Sequence, residues 1–125
     1  MFSHVIVGAN DVEASTQFYD AVLGALGIRP GRTDEGGRVL YMSEHCIFGI
    51  IEPINGEAAS PANGGTIGFA ASSPAAADAW HAAGLANGGF TCEEPPGVRK
   101  RPFGDLYLAY LRDPFGNKIC ALHRL

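Results

Sequence analysis

The side chains that invite a chemical reading are the imidazole of His4, the carboxylate of Glu52, the phenol of Tyr110 and the thiol of Cys120. His4 opens the run His4-Val5-Ile6-Val7-Gly8, in which alternation puts His4, Ile6 and Gly8 on one face. A lone histidine is more often packed or exposed than ligating, yet neutral imidazole is the commonest metal ligand. Glu52 closes the apolar run Phe48-Gly49-Ile50-Ile51. Burying its charge alone is expensive, so it either faces solvent at a strand end or serves a polar site. Cys120 reads as a small buried hydrophobe or, as thiolate, a zinc ligand. His123 cannot assist it, because three residues along a regular strand is the opposite face. Tyr110 is either a core aromatic with its hydroxyl at a rim or a hydrogen-bond donor to a bound oxygen.

These residues need elements to hold them. His4 to Ala9 is β-rich and alternating, so it reads as a strand. Asp11 is an N-cap, Val12, Phe18, Tyr19, Val22, Leu23 and Leu26 follow at helical spacing, and Gly24 and Gly27 mark the end. Weak strand character near Ile28 to Arg32 and two further strands, Arg38 to Met42 and Cys46 to Glu52, complete a β-α-β-β-β half closed by Pro53. Moving Asp11 onto Ser73 lays a second half over the first. Thr66 to Ala71 is its strand, Pro74 takes the first helical position, Ala75 to Ala83 is helical, and Trp80-His81 match Phe18-Tyr19. Leu106 to Arg112 and Lys118 to His123 are its last strands, joined by the turn Asp113-Pro114-Phe115-Gly116. The Gly-, Ala-, Ser- and Pro-rich stretch 55–65 separates the halves. Matching element order in two halves signals an internal duplication.

Composition narrows the classes. The 125 residues make one domain, with module 1 over about 1–54, a linker over 55–65 and module 2 over about 66–125. At 46% hydrophobic and 18% charged the chain packs rather than staying disordered. A net charge of −4 argues against a nucleic-acid-binding face, and the cluster Arg99-Lys100-Arg101 reads first as a solvated loop, second as an anion clamp. No apolar run reaches membrane length and no signal-like opening precedes His4, so the cytoplasm is the expected location and no membrane partner is expected. Three cysteines without CxxC spacing fit a reducing compartment.

Two motifs carry a resemblance. The strand before Asp11-Val12 with Phe18-Tyr19 and Leu23-Gly24, and the ending Tyr110-Leu111-Arg112-Asp113-Pro114-Phe115-Gly116-Asn117-Lys118-Ile119, resemble glyoxalase I and other vicinal oxygen chelate proteins, a superfamily that includes bleomycin-resistance proteins and extradiol dioxygenases. The resemblance spans essentially the whole chain and implies an α+β fold. In that fold, two tandem βαβββ modules form a half-open barrel cleft, and small members pair as homodimers. In the metal enzymes each module gives one ligand near the start of its first strand and one on its last. The metal then acts as a Lewis acid on a chelated substrate.

Carried onto this chain, those positions are His4, Glu52, Thr66 and Cys120. His4 and Glu52 match in type, Thr66 stands where glyoxalases carry His or Gln, and Cys120 stands where metal-dependent members carry Glu. The resemblance thus implies a degenerate site in which His4, Glu52 and Cys120 could hold Zn, Ni, Fe or Mn, with Glu52 and Tyr110 in catalytic roles. Ordinary glyoxalase I activity is not expected. A divergent metal-assisted lyase, isomerase or dioxygenase is one expectation. The alternative is a metal-free, bleomycin-resistance-type binder of a small molecule, with Phe48, Ile50, Thr66, Tyr110, and also Tyr41 and Tyr107, lining the pocket.

Overall fold

The computed structural model describes every residue from Met1 to Leu125. Its elements run β1 (His4–Gly8), α1 (Val12–Ala25), β2 (Arg32–Thr33), β3 (Val39–Met42), β4 (Ile47–Ile51), β5 (Ile67–Ala70), α2 (Pro74–Ala86), β6 (Phe90–Thr91), β7 (Gly97–Arg99), β8 (Leu106–Arg112) and β9 (Lys118–Arg124). They form two sheets, ordered β1-β4-β3-β2 and β5-β9-β8-β6, with β7 also paired to β8. In each sheet the first strand lies parallel to the last and the remaining ladders are antiparallel. The duplicated α+β architecture is therefore present.

Local chemistry explains both helices. The Asp11 carboxylate accepts from Ala14 N at 3.1 Å, and the Ser73 hydroxyl accepts from Ala76 N at 3.1 Å. Each helix ends where a positive-φ glycine turns the chain, Gly27 at φ 85° and Gly88 at φ 95°, with backbone bonds back from Ile28 N to Leu23 O and from Gly89 N to Gly84 O. The second helix runs to Ala86, past the expected Ala83, because nothing before Gly88 forces it to stop. The strand expected over Ile28 to Arg32 shrinks to Arg32–Thr33, since Pro30 has no N–H to give a ladder. The short strand Gly97–Arg99 was not expected between prolines. Its Arg99 guanidinium ties it down by donating to the carbonyls of Glu94 (3.1 Å) and Pro95 (2.8 Å).

One core serves both halves. Phe18, Tyr19, Val22 and Leu23 of α1, Ala77 and Trp80 of α2, Val39, Tyr41, Phe48 and Ile50 of the first sheet, and Ala109, Leu111, Ile119 and Ala121 of the second are buried in one cluster. The helices pack closely: a Cβ on Gly84 would meet Leu111 Cδ1 at 2.3 Å and Val22 Cγ1 at 3.1 Å. Phe48 and Phe69 bridge the sheets edge to face at 5.2 Å. Each half also anchors a strand tyrosine to an aspartate of its own helix, Tyr41 to Asp20 at 2.8 Å and Tyr107 to Asp78 at 2.7 Å.

The turn after β8 is also a lock. Asp113, fully buried, accepts from the Tyr19 hydroxyl (2.7 Å), Asn117 Nδ2 (2.8 Å), and the backbone N–H groups of Phe115 and Asn117. Asn117 Nδ2 also donates to Gly8 O at 3.2 Å, so the last hairpin is stitched to the first strand.

Candidate functional site

Because both sheets turn one face to the shared core, each leaves the other face free of helices. Alternation from His4 puts His4, Ile6 and Gly8 of β1 on the free face of the first sheet. The ladder pairs them with Ile47, Gly49 and Ile51, and Leu40 and Met42 of β3 follow on that face. On the second sheet the free face carries Leu106, Leu108, Tyr110 and Arg112 of β8 and Lys118, Cys120, Leu122 and Arg124 of β9. With the helices packed between the sheets, the two free faces turn away from each other within one chain.

The strand register moves the correspondence between the halves. Ile6 pairs with Gly49, and Gly68, its counterpart, pairs with Cys120. The counterpart of Cys120 is thus Gly49, not Glu52 as the sequence suggests. Leu40 and Ile6 close over that glycine, since a Cβ there would meet Leu40 Cδ2 at 2.9 Å and Ile6 Cγ1 at 3.3 Å. Glu52 lies just beyond β4, exposed, in a shallow polar hollow with Asn10, Pro53 and Glu57. Phe48 and Ile50, expected to line the cleft, lie in the core instead, at 6% and 0% exposure. Tyr41 and Tyr107 point to the helices as well. For Phe48 and Ile50 the cause is the pairing of β4 with β1, which sends the odd-numbered residues of β4, not the even ones, to the free face.

His4 is exposed, its Nδ1 2.8 Å from the Ser3 hydroxyl, and Thr66 is exposed just ahead of β5. Cys120 is buried at 5% exposure and packs with Leu106 and Leu108, with Tyr110 and Leu122 beside them. Burial pushes its thiol up to about 11, partly opposed by the Lys118 ammonium, so it is a neutral thiol at pH 7. Tyr110 is half-buried and its phenol is raised too, first by burial and then by the neighbouring Cys120 and Glu93. Lys118 Nζ stands 5.2 Å from the Tyr110 ring centroid and forms an ion pair with Glu93. His123 turns to the core side, where its Nδ1 lies 3.0 Å from Ala71 O.

The donor set does not fit a divalent metal. The register places an imidazole, a glycine, a neutral hydroxyl and a buried thiol at the four positions, with no carboxylate among them. Within one chain no three His, Cys, Asp or Glu side chains come together to share an ion. The residues that give the free face its character, Ile47, Ile51, Leu40 and Lys118, were not singled out from sequence. Alternation does single out Lys118, two residues before Cys120 and on the same face. The β4 residues depend on a pairing partner more than forty residues away.

No curated protein matches the chain. A glyoxalase/bleomycin resistance protein from Albidiferax ferrireducens T118 is similar to it at 64% identity and TM-score 0.96, over 99% of both chains. A glyoxalase/bleomycin resistance protein/dioxygenase family enzyme from Burkholderia phytofirmans PsJN shares the fold at 17% identity and TM-score 0.73, over 98% of both. So does a lactoylglutathione lyase from Agrobacterium tumefaciens, at 24% identity and TM-score 0.62, over 96% of this chain and 90% of that one. The model of the Glyoxalase/Bleomycin resistance protein/Dioxygenase superfamily matches residues 1–121. With the duplicated fold and both end motifs in place, the chain belongs to that superfamily.

Proposed function

We propose that the protein binds a small apolar or aromatic molecule without a resident metal, in clefts formed where the free face of module 1 meets that of module 2 in a second copy of the chain. The observation that carries this reading is the replacement of ligating side chains by Gly49 and Thr66 on faces whose centres are apolar. Ile6, Leu40, Met42, Ile47 and Ile51 supply one wall, and Leu106, Leu108, Tyr110 and Leu122 the other. Concave apolar surfaces with few polar anchors suit capture of such ligands.

Packing within the chain is what supports a homodimer. Helix-to-helix contact inside the chain turns the two free faces apart, so a two-fold partner is the simplest element that can oppose each face to the other. Met42, 50% exposed on the free face of the first sheet, would be covered in that assembly.

The competing reading is a metal-assisted lyase, isomerase or dioxygenase. It requires about one tightly held divalent ion per chain, with His4 among its ligands. Elemental analysis after refolding with Zn²⁺, Ni²⁺, Fe²⁺ or Mn²⁺ and dialysis separates the two. The expected result is no stoichiometric retention of any of them. One ion per chain, lost in His4→Ala, would overturn the metal-free reading.

A further inference from the structure

On the free face of the second sheet the charges are out of balance. Six of the nine Lys and Arg of this acidic chain fall between Thr66 and Leu125, and Arg112, Lys118 and Arg124 alternate onto that face. Arg112 and Lys118 are direct cross-strand partners, a placement in which like charges repel. One carboxylate answers them: Glu93, paired with Lys118. The Arg112 guanidinium donates to Gly116 O at 2.7 Å, which satisfies an N–H but neutralises nothing. Of this cross-strand pair one positive charge is left over at a defined place, with Arg124 farther along β9. Beside it lie the Tyr110 ring, over which the Lys118 ammonium sits, and the apolar floor of Leu108, Cys120 and Leu122. The hydrogen bond to Glu93 holds the Lys118 amine above its ordinary range, so it stays charged at any physiological pH.

Resting on the metal-free cleft reading, we propose that the ligand is an amphipathic anion. Lys118, with Arg112 as its cross-strand neighbour, holds the carboxylate or sulfonate group, and the apolar body lies over Tyr110, Leu108 and Leu122. Lys118 is only 24% exposed and Glu93 is 45% exposed, so the pair is partly shielded from solvent and Glu93 is the side open to displacement.

Two fluorescent probes that differ only in the sulfonate test this: 8-anilinonaphthalene-1-sulfonate and the neutral N-phenyl-1-naphthylamine. The expected result is at least about tenfold tighter binding of the sulfonate, a preference that shrinks with added salt. Lys118→Met should bring the affinity ratio close to one. Glu93→Gln, which frees the ammonium, should widen it severalfold, a gain that general damage to the fold would not produce. Equal binding of the two probes by the parent protein, or a ratio unchanged in Lys118→Met, would overturn the anion proposal while leaving the cleft reading standing. Binding of neither probe would overturn the cleft reading and this proposal with it.

Discussion

Cys120, which the resemblance sets against a carboxylate of the metal enzymes, has the surroundings of a core residue. It is 5% exposed, and burial pushes its thiol up to about 11. A thiol in that state is a poor nucleophile and a poor ligand at pH 7. Iodoacetamide is therefore expected to modify the half-buried Cys46 and Cys92 well before Cys120, which should react at comparable rate only after unfolding or as the pH approaches 11. Peptide mass mapping over a time course checks this. Rapid alkylation of Cys120 at pH 7 would mean an accessible thiolate and a different chemistry for the face. Residue type alone left Cys120 open between ligand and hydrophobe. The thiol's neighbours decide it, and Leu106 and Leu108 are brought to it by strand pairing rather than by adjacency in sequence.

At the scale of elements, the features read from sequence divide by how local their causes are. Both N-caps, Asp11 and Ser73, are satisfied as expected, because an N-cap needs only the next three residues. The faces of β4 were not legible. Whether Phe48 and Ile50 or Ile47, Gly49 and Ile51 face outward depends on register against β1, and a one-residue shift exchanges the two sets. The same register makes Gly49, rather than Glu52, the counterpart of Cys120. The turn Asp113-Pro114-Phe115-Gly116 was legible as a turn but not as a lock, since its second partner, Tyr19, lies in the other half. Both oxygens of Asp113 accept hydrogen bonds from two donors each. Asp113→Asn sets an N–H₂ against two of them, and the expected cost is about 3 kcal/mol, a fall in Tm of about 10 °C. Thermal unfolding followed by circular dichroism measures it. A fall of under about 2 °C would show that the network contributes little.

For the molecule as a whole, the shared core fixes which surfaces remain for other purposes. Each chain buries its helix-side faces internally and is left with two sheet faces whose centres are apolar. Light scattering on the eluting protein is expected to give twice the 13.1 kDa chain mass. Met42→Glu, which places a charge on the exposed free face of the first sheet, should shift the protein to monomer with its circular dichroism spectrum intact. A parent protein that is monomeric at all concentrations tested would remove the two-chain cleft.

The stitch between Tyr19 and Asp113 spans 94 residues of chain, and that between Gly8 and Asn117 spans 109. During synthesis the first half leaves the ribosome long before its partners exist. Until Asn117 emerges, the first strand and helix hold unfilled hydrogen-bonding groups beside an incomplete core. The two halves, though built alike, are not independent in time: the earlier one waits for the later one. Contacts so distant in sequence slow the search for the native state and prolong exposure of apolar surface. A duplicated domain joined in this way behaves in folding as one long unit, and its nascent first half is the stage at which chaperones would engage it.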